Sequence, residues 1–338
     1  MKQKQQIMKT PEKLTLARLP TPLEPLDRLS NKLRGPRIWV KRDDLTESTG
    51  SGNKIRKLEY VMADALRTGA SVVITSGGIQ SNHCRATAFA AAKLGISCHL
   101  ILRGRPPASL DGNLLLDRLL GATISYATAA EFADLDSLYK RTEKLYSDQG
   151  ISTYSIPIGA SNALGMWGYI NAAVELKADF LSHNIQPDHI FSATGSGGTL
   201  AGLIVGQQLF QLPGKIAGFN VADDGEFFRT KIAADIDNWG RQFGANLPAL
   251  PIKIIEGYVG PGYGRAGPEV FSCIDLVAKL EGLILDPVYT GKAFHGMLES
   301  IRRGQLKNSS DIVFLHTGGI FGLFPHRASF TGPDSPPV

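Results

Sequence analysis

Short apolar strands alternate with amphipathic helices along most of this chain, and that alternation limits the folds open to it. Strands are predicted at 37–42, 71–75, 98–102, 123–126, 153–157, 189–193, 215–221, 251–255 and 311–316. Helices are predicted at 54–68, 86–94, 113–120, 134–148, 164–182, 199–210, 268–280 and 291–303, with a helix-rich stretch up to 243. Parallel strands need crossover connections, which helices supply, so this order predicts an α/β fold with parallel sheets. We expect two such lobes, a small domain at 54–165 and a large domain made of 1–53 and 166–338.

Length and composition fit a soluble protein with a sizeable core and disfavour several other classes. The 338 residues carry a net charge of +5 and only short basic runs, which argues against nucleic-acid binding. No apolar run is long enough to cross a membrane and the first residues lack a secretory signal, so no membrane partner and a cytoplasmic location are expected. The cysteines lack paired spacing and the histidines lack ligand spacing, so neither a disulfide framework nor a metal site is expected. A loose arm at 1–20 and a disordered, proline-rich tail at 328–337 are also predicted.

A glycine-rich turn at 49–52 leads directly to Lys54. Apolar residues at helical spacing follow, so a helix begins near Lys54 and this lysine lies at a helix N-terminus. An ammonium is poorly placed against the helix dipole there, which favours the neutral amine that attacks a carbonyl to form a Schiff base. Lysine is also a common surface residue, so this turn alone leaves an exposed lysine as an equal alternative.

A second glycine-rich turn follows the predicted strand at 189–193 and opens another helix. Free backbone N–H groups and hydroxyls at a helix N-terminus form an anion cradle. Its candidate members are Thr194, Gly195, Ser196, Gly197, Gly198 and Thr199. The turn lacks both the Lys-Ser/Thr pair of a Walker A loop and the third glycine of a dinucleotide fingerprint. A phosphate cradle without a nucleotide signature, together with a candidate Schiff-base lysine, predicts pyridoxal 5′-phosphate as the cofactor.

Polar residues follow the predicted strand at 71–75. Ser81 and Asn82 are well-placed helix N-caps, and capping alone would explain one such residue. The run of polar or titratable side chains at 80–83 is longer than a cap needs. Exposed N–H groups and the Ser81 hydroxyl suit a substrate carboxylate, and Asn82 can donate to an oxygen on the cofactor ring.

Two glycine-bounded loops, 258–264 and 286–292, carry tyrosines, and the last strand ends in a third glycine-rich segment. Tyrosines in loops are often only amphipathic surface residues, but their place in two rigid turns makes a role in a site reasonable. In the third segment, Thr317 offers a neutral hydroxyl, and Gly318 allows close approach to a flat ring.

Five separated motifs, in matching order, resemble the family of D-cysteine desulfhydrases and 1-aminocyclopropane-1-carboxylate (ACC) deaminases. They lie at 41–44, 52–59, 80–83, 286–292 and 316–319. The resemblance runs from about Leu19 to Phe324. It implies fold type II of the pyridoxal phosphate enzymes, the tryptophan-synthase β-like fold with two parallel-sheet α/β lobes. It also implies a small amino-acid substrate and a homodimer.

The same resemblance implies roles for single residues. Lys54 would hold the cofactor as a Schiff base and act as the base at the substrate α-carbon. The predicted catalytic set is Lys54, Ser81, Tyr263 and Tyr289. The predicted substrate contacts are Ser81, Asn82, His83, Tyr263 and Tyr289. The predicted cofactor contacts are Lys54, Lys57 near the phosphate, Asn82 at the ring, 194–199, and Thr290, Thr317 and Gly318 toward the pyridine nitrogen.

Within the family, the hydroxyls of Thr290 and Thr317 help to predict which substrate the protein uses. ACC deaminases resemble this chain but have a glutamate in place of Thr290 and a leucine in place of Thr317. A hydroxyl cannot hold the ring nitrogen protonated as a carboxylate does, so the electron sink is weaker. Elimination of a thiolate needs less carbanion stabilisation than opening a cyclopropane. We therefore predict conversion of D-cysteine to pyruvate, ammonia and hydrogen sulfide.

Other readings stay open. They are ACC deamination, release of sulfite from L-cysteate, and a non-catalytic pyridoxal phosphate-binding protein. The turn at 50–52, Cys84 and Phe321 depart from the family pattern, and each departure bears on the shape of the substrate pocket.

Overall fold

The computed structural model describes residues 10–330 and follows the predicted alternation. Its helices are α1 Asp27–Leu33, α2 Asn53–Arg67, α3 Asn82–Leu94, α4 Gly112–Leu119, α5 Ala129–Phe132, α6 Leu135–Ser147, α7 Trp167–Ser182, α8 Gly198–Phe210, α9 Gly225–Phe243, α10 Pro268–Glu281 and α11 Thr290–Arg302. Its strands are β1 Leu23–Pro25, β2 Arg37–Lys41, β3 Val72–Gly78, β4 Ser97–Arg103, β5 Thr123–Ala127, β6 Thr153–Ser155, β7 His189–Thr194, β8 Lys215–Asn220, β9 Ile254–Ile255 and β10 Asp311–Leu315. No helix in the described range is long and apolar enough to span a bilayer.

Both chain ends differ from the predicted loose arm and tail. In the arm predicted at 1–20, Leu16 and Ala17 are buried and their N–H groups donate to Glu59 at 2.9 Å, so this part of the arm is held in place. The predicted arm at 1–9 and the predicted tail at 331–337 lie outside the described residues. The start of the predicted tail is ordered, because Phe324–Ser329 forms a short 3-10 helix. The ring of Phe330 packs edge-on against Phe271 at 5.2 Å, which anchors this end of the chain.

The strands form two sheets; the smaller uses only strands between 72 and 155, whereas the larger combines β1 and β2 from the start of the chain with β7 to β10. One sheet has the order β5-β4-β3-β6 and is parallel throughout. The other has the order β1-β2-β10-β7-β8-β9, in which β1 alone is antiparallel to its neighbour. The predicted parallel sheets are confirmed, and this short edge strand is an addition to them. Its Pro25 has no N–H to donate, which is tolerated at a sheet edge.

Both sheets are covered by helices on their two faces, as a parallel sheet requires. In β10, Ile312 and Phe314 join one hydrophobic cluster, whereas Val313 and Leu315 join another on the opposite face. In β3, Val73 likewise packs away from its neighbours Val72 and Ile74. The two-lobe α/β architecture is therefore confirmed. The domain bounds, 54–165 against 1–53 with 166–338, stay a prediction.

Each sheet has one point where the order of its strands reverses. In the smaller sheet the chain runs outward from β3 to β5 and returns with β6 on the other side of β3. In the larger sheet it runs from β7 to β9 and returns with β10 on the other side of β7. Loops at such a switch point separate and leave a crevice beyond the carboxyl ends of the strands. The fold thus offers two crevices for a ligand.

Helix α2 is fixed at its start by a buried ion network. The guanidinium of Arg56 donates to both carboxylate oxygens of Asp43, at 2.9 and 2.7 Å, and to Glu175 at 2.8 Å. Gly168 of α7 lies so close that an added Cβ would stand 2.6 Å from the carbonyl oxygen of Arg56. Breaking a buried network of this kind leaves an unpaired charge and costs about 3–5 kcal/mol. The residue two positions earlier, Lys54, is therefore held on a rigid helix.

Candidate active site

A cavity of about 290 Å³ lies where the two crevices meet. The sequence-predicted site residues that line it are Lys54, Ser81, Asn82, His83, Thr194, Gly195, Ser196, Gly197, Thr199, Tyr263, Tyr289 and Thr317. Four other predicted residues, Lys57, Gly198, Thr290 and Gly318, lie behind its wall. Segments that are far apart in sequence therefore meet at one place, at the carboxyl ends of β3, β6, β7 and β10.

The amine of Lys54 is primed to act as a neutral nucleophile. Burial lowers the pKa of Lys54 to about 8, the charge of Asp286 opposes this change, and the charge of Arg85 adds to it. Within residues 10–330 its ammonium has no hydrogen-bond partner. The sequence predicted a lowered pKa from the position at the start of a helix, which α2 confirms. The main physical cause is desolvation rather than the helix dipole.

The turn at 194–199 connects β7 to α8 and presents backbone N–H groups to the cavity. Gly197 has φ 83°, a left-handed conformation that favours glycine, and α8 begins at the next residue. Gly195 permits a close approach, because an added Cβ would stand 2.6 Å from the ring of Tyr289. The side chain of Asn53 donates to the hydroxyl of Thr199 at 3.0 Å. No acidic residue lies in the first turn of α8, so this end of the helix is suited to an anion.

Lys57 supports this turn from behind rather than from the cavity. Its amine donates to the carbonyl of Gly159 at 3.2 Å and to the hydroxyl of Ser161 at 3.4 Å. Ser161 in turn donates to the hydroxyl of Ser196 at 2.9 Å. Burial first, and then the nearby Lys54, hold the pKa of Lys57 well below its ordinary value. An added Cβ on Gly198 would stand 3.0 Å from the Lys57 nitrogen, so a phosphate on this turn would lie close to that amine.

The start of α3 orients three predicted residues. The hydroxyl of Ser81 caps the helix by accepting from the N–H of Cys84 at 3.2 Å. Asn113 donates to the side-chain oxygen of Asn82 at 3.0 Å, which leaves the amide N–H₂ of Asn82 free to donate. Both the cap and a ligand-binding role are therefore compatible with this segment.

His83 is a neutral, oriented ring. Its Nε2 lies 2.8 Å from the hydroxyl of Thr75, which itself donates to the carbonyl of Ile156 at 2.8 Å. Because that hydroxyl proton is used, Nε2 carries the ring proton and Nδ1 is an acceptor. Burial, reinforced by Lys54 and Lys57, holds the pKa of His83 well below its ordinary value. The ring thus gives the cavity wall shape, not a positive charge.

Two tyrosines meet across the mouth of the cavity. The hydroxyls of Tyr263 and Tyr289 are 2.5 Å apart, and their rings are edge-to-face with centroids at 5.9 Å. Burial raises the pKa of both phenols, so both keep their protons at neutral pH. Arg103, at the end of β4, stacks on the ring of Tyr263 at 5.7 Å and on that of Phe132 at the same distance. The pair is therefore contacted by groups from both sheets.

The two predicted hydroxyls near the pyridine nitrogen have different positions. Thr317 lines the cavity after β10, and its backbone oxygen accepts from the N–H of Asn53 at 3.1 Å. Thr290 is buried, donates to Asp286 at 2.8 Å and accepts from the Asp286 N–H at 2.8 Å. The hydroxyl of Thr290 is thus directed at Asp286 and does not line the cavity, which differs from the predicted contact with the ring. Gly318 lies behind Thr317 and packs on Gly52, whose Cα is 2.8 Å from an added Cβ.

Several residues of the site were not predicted from the sequence. Ile158 and Gly159 follow β6, Ala222 and Asp223 follow β8, and Arg103 ends β4. Gly159 could have been predicted, because it follows a strand at a switch point and ligands bind beyond the carboxyl ends of such strands. No local motif marked Arg103, because its contacts are rings from distant segments.

The donors around this cavity fit pyridoxal phosphate. A phosphate needs N–H groups at a helix start that lacks acidic neighbours, and 194–199 supplies them. The aldehyde needs a neutral amine, and Lys54 supplies it. The ring substituents need neutral donors, and Asn82 and Thr317 stand on the wall. Thr194 departs from the expectation, since its hydroxyl points at Gly218 of β8 and leaves only its backbone for the cradle.

Comparison with known proteins agrees with this chemistry. A sequence profile of the family described as "Pyridoxal-phosphate dependent enzyme" matches residues 14–318. The D-cysteine desulfhydrase of Yersinia pestis is 40% identical over 314 residues, covering 91% of this chain and 93% of that protein. The mitochondrial bifunctional D-cysteine desulfhydrase/1-aminocyclopropane-1-carboxylate deaminase of Arabidopsis thaliana is 40% identical over 320 residues, covering 92% of this chain and 79% of that protein.

A crystal structure described as an ACC deaminase homologue has the same fold. It superposes with a TM-score of 0.86 and 36% identity, covering 94% of this chain and 95% of that one. Together these matches confirm the predicted fold type, the pyridoxal phosphate cofactor and the class of enzyme, a lyase or deaminase. The chain therefore belongs to the pyridoxal phosphate-dependent enzymes and, among them, to the family of D-cysteine desulfhydrases and ACC deaminases.

Proposed function

We propose that the protein catalyses the elimination of hydrogen sulfide from D-cysteine, with pyruvate and ammonia as the other products. The observation that carries this proposal is Thr317 on the cavity wall after β10. ACC deaminases have a glutamate at the position of Thr290, whereas this chain has hydroxyls at both 290 and 317. A hydroxyl stabilises a protonated ring nitrogen less than a carboxylate does, and thiolate elimination has the smaller need for that stabilisation. The nearest buried carboxylate, Asp286, lies behind the wall and accepts from the N–H groups of Val288, Tyr289 and Thr290.

The bound cofactor supplies an electron-withdrawing ring that stabilises negative charge at the substrate α-carbon. The protein contributes the proton transfer at that carbon. Because the pKa of Lys54 is lowered to about 8, a substantial fraction of its amine is neutral near pH 8 and can accept the α-proton. The rigid start of α2 holds this amine against the cavity.

The other residues bind and orient the substrate. Donors at the start of α3, above all Asn82, suit the substrate carboxylate, and neutral His83 gives that region a fixed shape. The hydroxyls of Tyr263 and Tyr289 belong to two further residues of the cavity lining and keep their protons, so they can donate to the sulfur as the bond from the β-carbon breaks. The sulfur leaves with the bonding electrons, and water later releases pyruvate and ammonia, which balances the reaction.

The test is product release from purified, pyridoxal phosphate-loaded protein. Sulfide and pyruvate are measured with D-cysteine, and L-cysteine, L-cysteate and ACC are run in parallel. Equal amounts of sulfide and pyruvate from D-cysteine, with at least tenfold lower kcat/KM for the other substrates, support the proposal. Sulfite from L-cysteate or sulfide from L-cysteine alone would replace it. No turnover in a protein that still binds the cofactor through Lys54 would point to the non-catalytic reading.

We keep ACC deamination as the second candidate because the name of the Arabidopsis protein includes both activities, and a protein of Thermotoga maritima that is 43% identical over 314 residues is named a putative ACC deaminase. In this reading the tyrosine pair acts on the cyclopropane, and the products are 2-oxobutanoate and ammonia. Turnover of ACC at a kcat/KM equal to or above that for D-cysteine would show that the argument from Thr317 is wrong. The homodimer remains a proposal, which sedimentation of the purified protein would test.

A further inference from the structure

The loop at 257–267 carries Tyr263 and is rich in glycine. We call it the tyrosine loop. Four of its glycines have positive φ, namely 98° at Gly257, 65° at Gly260, 132° at Gly262 and 75° at Gly264. Glycine loses more conformational entropy than any other residue when it is ordered. The hydroxyl of Tyr263 lies 2.5 Å from that of Tyr289. Further contacts must therefore hold the tyrosine loop in this position.

Lys292 provides two hydrogen bonds to this loop. It lies on α11, three residues after Tyr289, and is 1% exposed. Its ammonium donates to the carbonyl of Val259 at 2.6 Å and to that of Gly262 at 2.9 Å. Gly262 immediately precedes Tyr263, so the second bond acts next to the residue that enters the site. One helix thus carries Tyr289 on one turn and the fastening of Tyr263 on the next.

No carboxylate in the described part of the chain competes with the two loop carbonyls for the ammonium of Lys292. Within residues 10–330 it forms no ion pair, although Glu269, His295, Glu299 and Arg303 line the same 160 Å³ cavity. Burial lowers the pKa of Lys292 to about 8, and the charge of Asp286 opposes that change. A buried ammonium without a carboxylate is costly unless its donors are satisfied. The carbonyls of Val259 and Gly262 accept hydrogen bonds from this ammonium. The charge on Lys292 and the order of the tyrosine loop therefore depend on each other.

We propose that Lys292 is a positioning residue that fastens the tyrosine loop to α11 and so brings Tyr263 against Tyr289. Its importance for catalysis rests on the proposed function, whereas the fastening itself does not. Charge-assisted hydrogen bonds to two carbonyls hold the loop closed; loss of the proton or of the side chain lets the loop open. Tyr263 then leaves Tyr289, while Lys54 and the phosphate turn stay in place.

Limited trypsin cleavage tests the fastening without any turnover. Arg265 is an exposed residue within the tyrosine loop, and cleavage at the Arg265–Ala266 bond is followed by mass spectrometry. In Lys292→Met, cleavage at this bond is expected to be about tenfold faster than in the wild type. Lys292→Arg, which keeps a charge and several donors, should stay within about threefold of the wild type. Lys279→Met is the matched control, because Lys279 is exposed and pairs with Asp275 on α10.

Circular dichroism first establishes that each variant is folded. Should Lys292→Met fail to fold, Lys292→Gln, which keeps one neutral donor, takes its place with the same expected direction. Equal cleavage rates in the wild type, in the neutral variant and in Lys279→Met would overturn the proposal. Cleavage should also accelerate in the wild type as pH rises above about 8, after division by the rate for an unfolded peptide of the same sequence. Lys292→Arg should lack that acceleration.

A double-mutant cycle connects the fastening to the reaction. If Lys292 acts through Tyr263, then Lys292→Met lowers kcat/KM about tenfold in the wild type but changes it less than twofold in a Tyr263→Phe background. Equal losses in both backgrounds would mean that Lys292 acts only on general stability. If D-cysteine is not a substrate, the proteolysis experiment still decides the fastening, so the two proposals can fail separately.

Discussion

Two segments bring predicted catalytic side chains to the cavity, the turn at 49–53 before Lys54 and the tyrosine loop that carries Tyr263. Both are held by a buried cation on a helix that donates to two backbone carbonyls. Arg85 on α3 donates to the carbonyls of Thr49 and Ser51, the latter at 2.8 Å, and its guanidinium stacks on Phe321 at 4.9 Å. Lys292 does the same for the tyrosine loop at 2.6 and 2.9 Å.

The difference lies in what else holds each segment. The Lys54 turn runs directly into α2, whose Arg56 is tied into a buried ion network, and its Asn53 N–H bonds to Thr317. The tyrosine loop is rich in positive-φ glycines and has an exposed tip, with Tyr263 itself 38% exposed. The Lys54 side of the cavity is therefore held by more contacts than the tyrosine loop is. If the tyrosine loop opens as we propose, substrate entry need not disturb Lys54.

Replacing Lys54 by alanine should have the largest effect. Because the proposed reaction uses its amine both to attach the cofactor and to move the α-proton, kcat/KM for D-cysteine should fall about 10³-fold or more. Borohydride reduction followed by mass spectrometry should find no pyridoxyl group on residues 53–67. Trypsin cleavage at Arg265 should stay at the wild-type rate, because the tyrosine loop has its own fastening. A retained pyridoxyl group on this peptide would contradict the assignment of Lys54.

Replacing Tyr289 by phenylalanine should lower kcat/KM about 10²-fold, and the same change at Tyr263 about tenfold. Tyr289 starts a helix and packs on Gly195, so its hydroxyl is the better fixed of the two. Steady-state kinetics with D-cysteine measure both values. Tyr258→Phe is the matched control, because this tyrosine of the same loop packs by its ring on Phe219 and His295. Equal losses at Tyr258 and Tyr289 would contradict the role of the pair.

Much of this site could be predicted from the sequence, because its local motifs encode their own geometry. The turns at 49–52 and 194–199 and the caps at Ser81 and Asn82 depend on short-range backbone preferences, and the structure brings them to one cavity. Arg85 and Lys292 could not be found in this way, because each donates to backbone carbonyls that are 30 to 36 positions away in the sequence. A carbonyl has no sequence signature. The same reason hid the partners of Thr290, which depend on how Asp286 folds back on α11.

Replacing Arg85 by methionine should loosen the turn before Lys54 and lower the affinity of the apo-protein for pyridoxal phosphate about tenfold. Two carbonyls lose their donors, and the charge that helps to lower the pKa of Lys54 is removed. In the wild type, capture of pyridoxal phosphate by the apo-protein should increase as the pH passes about 8. In Arg85→Met the neutral amine of Lys54 forms at higher pH, so this increase should shift to higher pH. Arg85→Lys keeps the charge and should keep the pH midpoint while losing affinity. Stopped-flow absorbance measures both; unchanged midpoints in both variants would contradict the electrostatic role.

Replacing Thr290 by alanine should have the smallest effect on catalysis and a clear effect on stability. Its hydroxyl links the backbone N–H and the carboxylate of Asp286, so its loss should lower the free energy of unfolding by about 1–2 kcal/mol. Since this hydroxyl lies behind the wall, the ratio of kcat/KM for D-cysteine to that for ACC should change less than twofold. Thr317→Ala is the matched comparison, because Thr317 faces the cavity and its loss should change that ratio more. Urea unfolding and substrate competition measure the two quantities. A large change of preference in Thr290→Ala would restore the original reading of Thr290 as a ring contact and would place Asp286, rather than Thr317, in control of the electron sink.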